Sequence, residues 1–125
     1  MNVVVTGSRD FDAEDVLDAI IEGLREHPTC PPLRIAHGAC PTGADAFVAA
    51  WHLDPPFGDI EITPYPAQWD RLGKAAGPAR NKLMLKESDP DLVLAFFKRG
   101  AKNRGTQNCV DQAREMNYRV VEVWA

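Results

Sequence analysis

Hydrophobic positions along the chain switch repeatedly between a strand period and a helix period. Val3-Val4-Val5 is a continuous β-branched run that suits a strand buried on both faces, Asn2–Thr6, and it breaks at Gly7-Ser8-Arg9. Behind a candidate N-cap at Asp12, with Glu14 and Asp15 in the first turn, Val16, Leu17, Ile20, Ile21 and Leu24 recur at helical spacing until Pro28. Leu33-Arg34-Ile35-Ala36 predicts a second strand ending in His37-Gly38. Thr42 and Asp45 then resemble a capping arrangement for a helix whose apolar face is Ala44, Phe47, Val48 and Trp51. Beyond a loop at Asp54–Gly58, Ile60–Thr63 predicts a short third strand. Pro64 to Ala76 has no regular period and reads as an irregular segment kept ordered by Tyr65 and Trp69. Gly77-Pro78 opens a third helix, Leu92–Phe97 is a second doubly buried strand, and Gly105-Thr106 opens a fourth helix. That last helix turns Cys109, Val110, Ala113 and Met116 inward, and Tyr118–Trp124 closes the chain as a strand.

The order βαβαβαβαβ predicts an α/β fold with a mostly parallel five-stranded sheet and helices on both faces. In such sheets ligands bind at the carboxyl ends of the strands, where strand order reverses. Three glycine-containing loops fall at such ends: Gly7-Ser8-Arg9, His37 to Gly43, and Gly100 to Thr106. Each leads to a helix N-terminus, where exposed N–H groups and the helix dipole favour an anion.

At 125 residues the chain is read as one domain, residues 1–125. Apolar residues at 45% and charged residues at 26% fit a water-soluble globular chain. The longest apolar runs, Ala46–Trp51 and Leu92–Phe97, are six residues, too short to span a membrane. Cys30, Cys40 and Cys109 are an odd set without disulfide spacing, and no basic stretch precedes Val3-Val4-Val5, so a cytoplasmic, reduced protein is expected. With no C-x-x-C pair to join His37, Cys40 and Cys109, no metal site and no cofactor are expected. Net charge is −4, but residues 1–70 carry three basic and twelve acidic side chains, and residues 71–110 carry nine basic and three acidic ones. A local positive field in an acidic protein suits a small anionic ligand better than a nucleic-acid duplex.

Val5-Thr6-Gly7-Ser8-Arg9, His37-Gly38-Ala39-Cys40 and Gly43-Ala44-Asp45-Ala46 resemble the YspA-like family of the SLOG superfamily. This superfamily joins the DNA-processing protein DprA/Smf to the Lonely-guy (LOG) phosphoribohydrolases. Pro66-Ala67-Gln68-Trp69-Asp70, Gly73-Lys74 and Ala76-Gly77-Pro78-Ala79-Arg80-Asn81 resemble the YspA-like proteins further, and Gly105-Thr106 stands at the superfamily's glycine–threonine step. The resemblance implies a Rossmann-like domain that binds a nucleotide or nucleotide-derived ligand. It also implies a homodimer, for which the apolar stretch Leu83-Met84-Leu85 is a candidate face.

On this reading the phosphate sits against Gly7, Ser8, Arg9, Gly105 and Thr106, with Arg80, Asn81 and Lys74 closing around it. His37, Gly38 and Gly43 complete the candidate ligand-binding set. Arg80 matches the arginine-centred stretch that assists glycosidic cleavage in LOG enzymes, and its guanidinium offers a planar fork for phosphate; a surface ion pair is the lesser alternative. The LOG glutamate, three residues past the threonine, is replaced by Cys109, and a thiol does not stabilise an oxocarbenium-like state. Asp45 is the candidate substitute carboxylate and is equally a helix cap. Thr106 reads as a ligand hydroxyl or an N-cap, and Trp69 as a base-stacking ring or a core anchor. Three function classes follow: a sensing or sequestering module for a nucleotide-derived molecule, a LOG-like phosphoribohydrolase, and a single-strand nucleic-acid binder as in DprA. Cys109 and the acidic balance favour the first.

Overall fold

The computed structural model describes residues 1–7, 33–39 and 60–124, together with the helical residues Asp18, Glu22, Ala46 and Val48. Five strands form one sheet: β1 (Asn2–Gly7), β2 (Leu33–His37), β3 (Ile60–Pro64), β4 (Leu92–Phe97) and β5 (Val120–Trp124). Their order is β3-β2-β1-β4-β5, and every pairing is parallel. This is a Rossmann-like α/β sheet. Its strand order reverses between β1 and β4, where Val5 pairs with Leu94 and Gly7 with Phe96.

The two central strands are the apolar runs visible in the sequence, and alternation sends their side chains to two separate cores. Val3, Val5, Leu92, Leu94 and Phe96 join Leu33, Ile35 and the helical Val48 on one face. On the other, Val4, Ala36 and Val93 meet Met84 and Leu85 of α2 (Ala76–Ser88) and Cys109 and Ala113 of α3 (Arg104–Glu115). The edge strands β3 and β5 are only half-buried. Pro64, which cannot donate to a ladder, ends the edge strand β3 opposite His37.

Several boundaries differ from expectation for local reasons. The segment read as irregular holds a one-turn helix, α1 (Trp69–Leu72), and a 3-10 turn (Gly73–Ala75), both too short for a periodic signal. These run directly into α2, which therefore begins at Ala76, before Gly77-Pro78. Pro78 stays within the first turn, where its missing N–H costs no helical bond. The last strand starts at Val120, because the N–H groups of Met116, Asn117 and Tyr118 still donate to the carbonyls of Gln112, Arg114 and Ala113 in the C-terminal turn of α3. Leu83-Met84-Leu85 is not one apolar face, since Met84 and Leu85 are fully buried against the sheet and only Leu83 is exposed. No described helix is long and apolar enough to cross a membrane.

Candidate functional site

A cleft of about 880 Å³ lies at the carboxyl ends of the strands, bordered by Thr6 and Gly7 of β1, Gly38 and Ala39 after β2, and the segment Ala101–Thr106 after β4. It occupies the reversal point between β1 and β4. Its other wall is α1 and the first turns of α2, including Trp69, Lys74, Gly77, Arg80 and Asn81.

The polar groups of the wall divide into two sets. In the first, every contact is internal. Arg80 donates from Nη1 to the carbonyl oxygens of Gly38 and Tyr65, and from Nε to Asn81 Oδ1 at 2.8 Å. It is therefore neither an ion pair nor a free fork, but a strap joining the ends of β2 and β3 to α2. Because Arg80 is donor-only, Asn81 must present its oxygen to it and turn Nδ2 toward α3. There Asn81 Nδ2 donates to Gly105 O at 3.2 Å and to Asn108 Oδ1 at 3.1 Å. Gln112 Nε2 donates to the same Asn108 oxygen at 2.8 Å and to Pro78 O at 3.1 Å. Asn81 is only 2% exposed, so the chain Arg80–Asn81–Asn108–Gln112 is the polar seam between α2 and α3.

His37 belongs to the same set. It does not line the cleft but lies buried at the end of β2, where its Nδ1 accepts the N–H of Ala39 at 3.0 Å. Burial foremost, and the Arg80 charge second, hold its pKa below the ordinary 6.5. The neutral tautomer is the one this hydrogen bond requires. Ala39 itself is held at φ +55°, a left-handed conformation that disfavours a side chain with a Cβ.

The second set has open donors. Thr6 and Thr106 are 8% and 4% exposed and line the cleft, yet neither hydroxyl has a hydrogen-bond partner among the described residues. Asn108 Oδ1 accepts from two neighbours, and its Nδ2 has no partner among the described residues. The N-terminus of α3 is uncapped: Asn103 holds the N-cap position at φ +48°, but its side chain turns back to Lys98 and Ala101. The first intrahelical bond is Gln107 N–H to Asn103 O at 2.9 Å, and the N–H groups of Arg104, Gly105 and Thr106 have no partner among the described residues. Thr106 is thus not the N-cap but the buried third residue of the first turn of α3, beside those amides. Lys102 and Arg104 are exposed on the same segment, and Lys74 is exposed on the opposite wall. With Arg80 these are four cationic side chains, and among the described lining residues there is no Asp or Glu.

The chain matches no family model and no curated protein at significant similarity.

Of the residues singled out from sequence, the cleft brings together Gly7, Gly38, Lys74, Arg80, Asn81, Gly105 and Thr106. Ser8, Arg9, Gly43 and Asp45 lie outside the described residues. Cys109 lies in the core beneath α3 and does not line the cleft. Trp69 is not a core anchor: it is 52% exposed, at the rim. Sequence reading missed Thr6, Lys102, Arg104 and Asn108. The basic excess of residues 71–110 was the signal for Lys102 and Arg104, whereas Asn108 acquires its position only when α2 and α3 meet.

Proposed function

We propose that this protein binds a phosphate-bearing, nucleotide-derived small molecule in the cleft, as a sensing or sequestering module of the YspA-like kind its motifs resemble. The observation that carries this reading is the one-sided chemistry of the described wall, which offers cations, open N–H groups and unpartnered hydroxyls but no carboxylate. Such a surface is complementary to an acceptor-rich anion and to little else. The phosphate belongs at the α3 N-terminus, against Gly105, Thr106 and Thr6, with Lys102 and Arg104 screening its charge. A phosphoribohydrolase needs a carboxylate near the ribose; the described wall supplies none, and the candidate, Asp45, lies outside the described residues.

The test is ultrafiltration with mass spectrometry after mixing the protein with nucleoside monophosphates, cyclic nucleotides, NAD and ADP-ribose. Intact ligand retained by the wild type and lost from a Lys102→Glu/Arg104→Glu double variant supports binding. Free base in the filtrate establishes hydrolysis instead, and retention of nothing in the panel removes the nucleotide reading.

A further inference from the structure

We infer that Trp69 is the stacking platform for the planar ring of the ligand and that it, rather than the anion subsite, sets the preference for a ring-bearing phosphate. The inference rests on the anion-binding reading above and adds a second subsite to it. Large aromatic side chains are ordinarily buried, but Trp69 leaves half its surface open while lining the cleft. What fixes it there is Gly77. A Cβ at position 77 would meet Trp69 Cη2 at 3.2 Å and Cζ3 at 3.9 Å, so the six-membered ring rests directly on the first turn of α2. Glycine in a helix costs about 1 kcal/mol relative to alanine, and close approach of this indole is the structural return at a position whose backbone needs no glycine.

The remainder of the wall gives the platform its purpose. The open donors and the cations Lys102 and Arg104 gather at the α3 side, and Trp69 stands on the α1–α2 side of the same cleft. A ligand that satisfies both has an anionic end and a flat, weakly polar end, and a cleft of about 880 Å³ has room for the two joined by a sugar. Stacking on an indole tolerates any base, because every base presents a π face. Discrimination therefore falls between ring-bearing and ring-free phosphates rather than between bases.

Titration calorimetry of AMP and ribose 5-phosphate against wild type, Trp69→Ala and Trp69→Phe tests this. The wild type is expected to bind AMP roughly tenfold more tightly than ribose 5-phosphate. Trp69→Ala should lower AMP affinity to the ribose 5-phosphate level while leaving ribose 5-phosphate unchanged, and Trp69→Phe should recover most of the difference. Equal wild-type affinities for the two compounds, or an equal loss of both in Trp69→Ala, overturn the platform and leave the anion site standing. Failure of the wild type to bind either compound overturns the platform as stated, and failure to retain anything in the wider nucleotide panel overturns the anion-binding reading as well.

Discussion

The two walls of the cleft use polar side chains in opposite ways. On the α2 wall Arg80, through Nε and Nη1, and Asn81, through Oδ1 and Nδ2, are engaged, tying the ends of β2 and β3 and the start of α3 to α2. At the start of α3 and the end of β1, Thr106, Thr6 and three backbone amides have none among the described residues. A buried polar group without a partner costs stability, so among the described residues the two threonine hydroxyls are a cost to the fold that Arg80 and Asn81 are not. On the proposed function, the difference separates construction from recognition. Arg80, the residue a sequence motif makes most conspicuous, holds the site in shape, whereas the groups with capacity for a ligand are the less conspicuous ones.

Substitutions should separate the two walls, and the largest effect belongs to the engaged one. Asn81→Ala leaves Arg80 Nε and Gly105 O without their partner and should cost about 2–4 kcal/mol of stability, read as a lower urea midpoint. Arg80→Ala should also loosen the loops at Gly38 and Tyr65, so binding loss in that variant would mix shape with contact. Reversing Lys102 and Arg104 together to Glu should act the other way. Ligand affinity should fall about tenfold or more at low salt, with unfolding free energy within about 0.5 kcal/mol of wild type, since both side chains are exposed.

His37 gives the engaged wall a pH signature. Its folded pKa lies below the unfolded 6.5, so the folded protein binds fewer protons than the unfolded chain once pH drops beneath that value. Its contribution is complete above about pH 6.5 and is lost as pH falls from there toward the folded value, at up to about 1.4 kcal/mol per pH unit. His37→Asn should flatten that part of the profile, and the wild-type-minus-variant difference in urea midpoints between pH 7 and pH 5 measures it. The smallest effect is at Ala39. Replacing it with Gly removes the strain of a Cβ at φ +55° and should raise stability by about 0.5–1 kcal/mol.

The sheet was legible in the sequence because its central strands are buried on both faces, so Val3-Val4-Val5 and Leu92–Phe97 carry apolar runs that no amphipathic helix would need. The position of the cleft was legible from the glycines that follow β1, β2 and β4. Its wall was legible only in part. Arg80 and Asn81 stand out as a motif, but nothing local shows that their hydrogen bonds close on Gly38, Tyr65 and Asn108, which lie 42, 15 and 27 residues away. Thr6 hides in a strand pattern where threonine needs no explanation, and α1 is a single turn without a period to detect.

The central claim is that the second wall keeps its donors for a ligand at the expense of the fold, and Thr106→Val tests it most directly. Valine keeps the shape and removes only the hydroxyl. One calorimetric pair, unfolding and titration with AMP, reads both consequences. The melting temperature should hold or rise by a few degrees, about 1 kcal/mol, because a buried hydroxyl with no partner among the described residues is gone, while AMP affinity falls severalfold. A variant that melts earlier and binds AMP as well as wild type would show that the hydroxyl serves the fold, and the division between the two walls would be wrong.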